Sequence, residues 1–300
     1  MQAPRRDVDV AVIGAGQAGL SAAFHLRRKG FVEPDGLVVL DRNPRPGGAW
    51  QHRWPTLRMA DVHGIHRLPG RPAPDLDHAA PARDAVPAYF AAYERQTGIH
   101  VHRPVTVRAV RESGDGRLDV DTTAGGWRTR ALVNATGTWD LPFVPHYPGI
   151  ERFGGQSVHT ADYRGPAAFT GKRVLVVGGG ASAVQLLAEL STVADTTWVT
   201  RRPPRWRTGE PFTSELGRAA VARVDERVRA GLPPGSVVSV IGCGCASKNW
   251  PRPPGACIAG GRCSSASNRP ACAGRTAPSP RWTRSCGAPV SARPIGIWPR

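Results

Sequence analysis

Apolar and polar positions follow two different periods over the first forty residues. Val8–Ile13 is a short apolar run that ends in Gly14-Ala15-Gly16-Gln17-Ala18-Gly19, after which Leu20, Ala23, Phe24 and Leu26 recur at helical spacing. The pattern predicts a strand, a tight turn and a helix. Gly30 stops that helix, and Leu37–Leu40 forms a second buried strand with Asp41 at its end. The order is βαβ, the opening of a parallel sheet.

Further along, Val86–Thr97 carries a helical period. Val105–Val110, Leu118–Thr122 and Trp127–Thr129 read as short strands joined by Gly-rich turns, and Ala131–Ala135 as a buried strand entering Thr136-Gly137. A stretch rich in Pro and Gly, Leu141 to Gly171, separates this half from a second one with the same opening. There Arg173–Val177 is a strand, Gly178-Gly179-Gly180-Ala181-Ser182-Ala183 a turn and Val184–Leu190 a helix, and Thr196–Thr200 is a further strand ending in Arg201-Arg202. The predicted fold is α/β, with two Rossmann-like dinucleotide-binding domains. They are placed at residues 1–150 and 171–241, with a linker at 151–170 and an irregular tail at 242–300.

The chemistry of the two turns follows from residue type. In the first, Gly14 allows the bend, Gly16 lets the backbone approach a pyrophosphate, and Gly19 allows close helix–strand packing, while the helix N-terminus offers unpaired N–H groups and positive dipole. Asp41 is placed to accept hydrogen bonds from a ribose. The Gly14-to-Asp41 interval is longer than usual, and the Phe31–Gly36 loop absorbs the excess. In the second, Gly178, Gly180 and Ser182 repeat the turn, but the following strand ends in Arg201 and Arg202 in place of an acid. Guanidinium forks suit a 2′-phosphate, which favours NADPH over NADH; two solvated arginines in a basic protein are the alternative.

Charge alters this picture only at the end of the chain. The net charge of +17 would ordinarily suggest a polyanionic partner. After Glu226, however, no acidic residue occurs, and Gly242–Arg300 holds nine basic ones. Without those nine the chain has 31 basic and 23 acidic residues, and neither a nucleic-acid nor a membrane partner is expected. All six cysteines lie in the same tail at spacings that fit no zinc site and no CxxC pair, so no metal is expected and the body has no dithiol chemistry. No window approaches the roughly 20 apolar residues of a membrane span, and the start lacks a signal-peptide core, which points to a cytoplasmic protein.

Three further motifs carry a family resemblance. Gly47-Gly48-Ala49-Trp50 follows the ribose acid, Ala135-Thr136-Gly137 ends the first half, and Phe153-Gly154-Gly155-Gln156-Ser157-Val158-His159-Thr160-Ala161-Asp162-Tyr163 satisfies FxGxxxHxxxY just before the second turn. Together with the two glycine turns, over about residues 7 to 240, they resemble the flavin-containing and Baeyer–Villiger-type monooxygenases. The resemblance implies FAD on the first unit and NADPH on the second. Gly47, Gly48 and Trp50 would lie near the flavin, and Gly137 would belong to the segment closing the FAD domain. It also implies insertion of one oxygen from O2 into a small organic substrate, a heteroatom compound or ketone, through a flavin C4a-(hydro)peroxide. His159 is a weak catalytic candidate, its alternative being a satisfied histidine in a linker. An NADPH-dependent flavoprotein reductase and a nucleotide-binding redox sensor are the competing functions.

After Val240 the hydrophobic period is lost and Arg, Pro, Gly, Ala, Ser and Cys dominate. A disordered basic tail is one account; a GC-rich gene translated in the wrong frame is the other, and the favoured one. With permitted synonymous codons, Thr283–Arg300 rereads as AILWGTGFRPADRHLAP and Gly260–Ala266 as RPMFVRI. The former is an apolar strand running into a segment like the second ATG-type return of the resembled family. On that account the chain lacks the end of the NADPH unit and the returning FAD segment, which makes it a truncated member whose activity is open.

Overall fold

Val8, Val10, Ala11 and Val12 are all buried in β1 (Arg6–Ile13), so this strand is covered on both faces, as a central parallel strand must be. In the computed structural model it lies between β2 (Leu37–Leu40) and β5 (Gly125–Asn134), parallel to both. Helix α1 (Gln17–Arg28) makes the crossover from β1 to β2 and buries Gly19, Leu20 and Ala23. On its other side β5 pairs antiparallel with β4 (Leu118–Thr122), and β4 with β3 (Val107–Glu112), giving the order β2-β1-β5-β4-β3. The structure describes residues 5–62, 65–72, 74–201, 206–207, 213–233, 243–244, 256–258 and 295–298.

Two boundaries in this sheet and one in a helix differ from those predicted. Trp127–Thr129 and Ala131–Ala135 are one strand, β5. Arg130 reads as a break but is an exposed residue within it, 3.6 Å from Asp9 Oδ1, while buried Thr129 donates to Asp9 O at 2.9 Å. Val105 precedes β3: its N–H donates to Asp41 O at 2.8 Å, and its side chain joins a core of Val8, Ala11, Val38, Leu40, Val120 and Trp127. Burial made it look like a strand residue. Helix α2 (Ala82–Thr97) starts a turn earlier than Val86 and contains Pro87 within it, whereas a proline is ordinarily read as marking a helix start. Val86, Phe90 and Tyr93 form its buried stripe, and Gly98 at φ 63 ends it.

The chain divides into two units at Pro142/Phe143, eight residues before the predicted boundary at 150. In the second unit β7 (Arg173–Val177), α3 (Ala181–Leu190) and β8 (Asp195–Thr200) form the predicted parallel βαβ unit. The predicted linker holds a strand, β6 (Gln156–His159), at one edge of the same sheet. Helix α4 (Ser214–Arg229) begins at Thr213, whose hydroxyl accepts the Leu216 N–H at 3.3 Å.

The sequence predicts an irregular tail over 242–300 with little regular structure, and the described residues there form three short strands. Trp206–Arg207 (β9) and Cys243–Gly244 (β10) pair with each other, Ala256–Ile258 (β11) pairs with β8, and Ile295–Trp298 (β12) lies between β6 and β7. The sheet order is β11-β8-β7-β12-β6. Isoleucines at alternate positions and an aromatic end suffice for four residues of strand, although the single Gly296 hides the period. Among the described residues no helix is long and apolar enough to cross a membrane.

Candidate functional site

The first glycine turn is built by close approach. Gly14 has φ +99 and donates its N–H to Leu40 O at 2.7 Å; a Cβ there would stand 2.3 Å from Ala135 O. On Gly19 a Cβ would lie 1.8 Å from Gly14 O. Neither position accepts a side chain, which joins the turn, α1 and the Ala135-Thr136-Gly137 segment in one tight packing. Gly16 differs: a Cβ there would meet nothing nearer than Gly48 Cα at 4.0 Å, so its bareness leaves a space that a side chain would fill.

Beyond Gly16, α1 begins with no side-chain cap and no acid in its first turn. The same holds for α3, whose N-cap is Gly180. By contrast α2 and α4 carry Asp84 and Glu215 in their first turns. Among the α-helices of the described residues, the two that follow glycine turns are the two with neither a side-chain cap nor a first-turn acid, an arrangement suited to an anion.

Asp41 is 4% exposed, and both its oxygens are engaged: Oδ2 accepts the Ala15 N–H and Oδ1 the Asn43 N–H, each at 2.7 Å. A carboxylate has about four acceptor sites, so these two bonds do not exhaust it. Gly47 and Gly48 pass close to this turn: a Cβ on Gly48 would lie 2.9 Å from Gly16 Cα, and one on Gly47 2.7 Å from Pro87 Cγ of α2. A short 3-10 helix, Gly48–His52, then carries Trp50, Gln51 and His52. Gly137, at φ +67, follows Ala135, the residue that abuts Gly14.

Sequence reasoning missed the residues around Trp50. Arg53 places Cζ 5.3 Å from the Trp50 ring centroid and 4.9 Å from that of Trp139. His52 stacks on Trp139 at 6.1 Å and 17°, and its Nε2 is 2.8 Å from Asn43 Oδ1. Arg42 pairs with Asp140. Burial holds the His52 imidazole below the ordinary histidine range; Asp140 pulls it up and Arg42 pushes it down. The available signal was Trp139 two residues after the ATG, facing Trp50-Gln51-His52-Arg53 across the strand ends.

In the second unit, Gly178 donates its N–H to Val199 O at 2.9 Å and accepts the Trp198 indole N–H at 2.7 Å. This fixes the turn before Gly180 and Ser182 at the start of α3. Arg201 is exposed at the end of β8, and Arg202 lies outside the described residues. His159 is 6% exposed at the end of β6, with Nδ1 accepting the Ala161 N–H at 3.1 Å. Tyr163 is 1% exposed and donates to Glu189 Oε2 at 3.0 Å. Burial first, and the Glu189 charge second, push its phenol well above the usual range. The FxGxxxHxxxY segment thus ends in buried, hydrogen-bonded side chains.

A family profile described as pyridine nucleotide-disulphide oxidoreductase matches residues 11–231, a span that covers both glycine turns, Asp41 and the FxGxxxHxxxY segment. The chain belongs to the pyridine nucleotide-disulphide oxidoreductase family. The chain is 30% identical over 203 residues to a Baeyer-Villiger monooxygenase of Streptomyces coelicolor, covering 66% of this chain and 38% of that one. It is 30% identical over 219 residues to flavin-containing monooxygenase 5 of Oryctolagus cuniculus, covering 66% and 40%. The flavin-containing monooxygenase structure from Stenotrophomonas maltophilia superposes with a TM-score of 0.64 at 33% identity, covering 98% of this chain and 78% of that one. The resemblance carried by GGxW, ATG and FxGxxxHxxxY therefore holds. The chain spans 38% and 40% of the lengths of these two curated relatives.

Proposed function

We propose that this chain carries the FAD and NADPH sites of a flavin-dependent monooxygenase that acts with O2 on a small organic substrate. The observation that supports it is the pairing of two uncapped, acid-free helix N-termini behind glycine turns, one with Asp41 at the neighbouring strand end and one with Arg201. Gly14, Gly16, Gly19 and Asp41 would hold the adenosine diphosphate of FAD, and Gly47, Gly48, Trp50 and Gly137 would border its path. Gly178, Gly180 and Ser182 would hold the NADPH diphosphate, with Arg201 and Arg202 on the 2′-phosphate. When bound, the two cofactors supply hydride transfer and activation of O2. The chain's own work is to bind, orient and exclude water, which is why no protein acid or base stands out in it. His159, buried in a sheet edge, serves architecture in this reading.

NADPH oxidation by the FAD-loaded chain, scored for oxygenated product against peroxide with ketone and thioether substrates, tests the assignment. Oxygenated product is expected. Electron transfer to a quinone without oxygen insertion would favour the reductase alternative.

A second proposal concerns residues 242–300, which we infer to be encoded out of frame after Ile241. Single-codon tryptophans remove freedom from the rereading: Asn249-Trp250 must give Leu, Trp250-Pro251 Ala, Trp282-Thr283 Asp and Trp298-Pro299 Ala. The forced Asp returns an acid to an acid-free region, immediately before AILWGTGFRPADRHLAP. Sequencing the gene across the codons for Ile241 and Gly242 is expected to recover one base. An unchanged frame, with peptides of Gly242–Arg300 found in the purified protein, would contradict it.

A further inference from the structure

The segment carrying Gly47 and Gly48 has no side chain at the point where it meets Gly16; besides the approach of Gly47 to Pro87, its position depends on the residues after Gly48. Within the 3-10 turn, Gln51 is buried and its Nε2 donates to Gly48 O at 3.1 Å and Arg45 O at 3.2 Å, which closes the turn on itself. Arg53 ties this turn to the neighbouring strand end, beside the stacking of His52 on Trp139. Its guanidinium Cζ is 5.3 Å from the Trp50 ring centroid and 4.9 Å from that of Trp139, and Trp139 also stacks on the His52 ring. From His52 the connection continues through Asn43 to Asp41 and the Ala15 N–H.

We propose that Arg53 is a positioning residue for the flavin cradle, clamping the Gly47–Arg53 segment to the Gly137–Asp140 segment through Trp50 and Trp139. This inference rests on the FAD reading given above. The physical case is that both ring centroids lie within cation–π range of one guanidinium, whose broad, planar and weakly hydrated charge reaches two aromatic rings at once; a lysine ammonium is a compact, strongly hydrated point charge. The Arg42–Asp140 pair at the same loop is a weaker tie, because its side chains are 50% and 33% exposed. The clamp therefore keeps two strand-end loops at a fixed separation before any ligand arrives, so less ordering is left to binding.

The test is FAD affinity of the full chain, followed by flavin fluorescence and absorbance, for Arg53→Ala, Arg53→Lys, Trp139→Ala, Trp139→Phe and the Arg53→Ala/Trp139→Ala pair. Arg53→Ala and Trp139→Ala are each expected to weaken FAD about tenfold. Trp139→Phe should retain most of the affinity, Arg53→Lys only part of it, and the double variant should lose less than the product of the two single losses. Val120→Ala, in the sheet core away from the clamp, should lower the melting temperature without changing FAD affinity. Unchanged FAD affinity in folded Arg53→Ala, or full rescue by lysine, would overturn the clamp alone. Failure of the unsubstituted chain to bind FAD would overturn the functional reading on which it rests.

Discussion

The Asp41 carboxylate accepts the Ala15 backbone N–H at 2.7 Å from a position 26 residues further along the chain. The acid that closes the first βαβ unit thereby also holds the middle of its glycine turn. Both oxygens are 2.7 Å from backbone N–H groups, so the turn is shaped before a ribose arrives. Charge-assisted hydrogen bonds of this kind contribute about 1.5–3 kcal/mol each.

Substitution of the turn glycines should separate fold from ligand. Gly14→Val is expected to unfold the turn and lose flavin, since its Cβ would stand 2.3 Å from Ala135 O at φ +99. Gly16→Ala should fold, because its Cβ meets nothing inside 4.0 Å, yet bind flavin weakly by filling the approach to the pyrophosphate. Circular dichroism and flavin content measured together check this. Normal flavin content in folded Gly16→Ala would remove the assignment of this turn.

Arg201→Ala combined with Arg202→Ala should raise the KM for NADPH and leave that for NADH nearly unchanged, because only NADPH presents a 2′-phosphate. The loss of one charge-assisted hydrogen bond corresponds to about 1.5–3 kcal/mol, roughly tenfold or more. Equal losses for both nucleotides would show that these arginines do not read the phosphate.

Tyr163→Phe should lower the stability of the second unit by about 0.5–1.5 kcal/mol, because the buried Tyr163 hydroxyl no longer donates to half-buried Glu189 Oε2 at 3.0 Å. Nucleotide affinity should not change. A variant of normal melting temperature with lost turnover would instead give the fingerprint tyrosine a catalytic role.

Stability should fall as pH drops below the ordinary histidine value of 6.5. His52 and His102 are both held below that value, each mainly by burial; His100 and Arg6 lower His102 further, against Glu33. The unfolded chain therefore binds protons that the folded chain does not, and the stabilising difference present above 6.5 is lost as pH falls through the folded values. Melting temperatures at about pH 7.5 and about pH 5.5 should differ, and the difference should shrink in His52→Gln/His102→Gln. An unchanged difference in that variant would contradict the assignment.

Much of the first site is legible in sequence because glycine, a strand-end acid and helical period are local signals. Gly14 and Gly19 are required by approach distances that only a bare Cα satisfies, and Asp41 ends an unbroken apolar run. The Arg53 clamp was not legible. It joins Trp50 to Trp139, 89 positions apart, and no period links them. Nor was β6, since Gln156–His159 is polar enough to read as linker and becomes a strand only by pairing. Arg130 misled in the opposite sense, an exposed charge inside a continuous strand.

Flavin binding by the first unit is tested most directly by the visible absorption spectrum of the purified full chain after incubation with FAD and removal of free flavin. Flavin bands near one equivalent per chain are expected, bleached by NADPH more readily than by NADH under anaerobic conditions. A folded chain that retains no flavin would contradict the assignment.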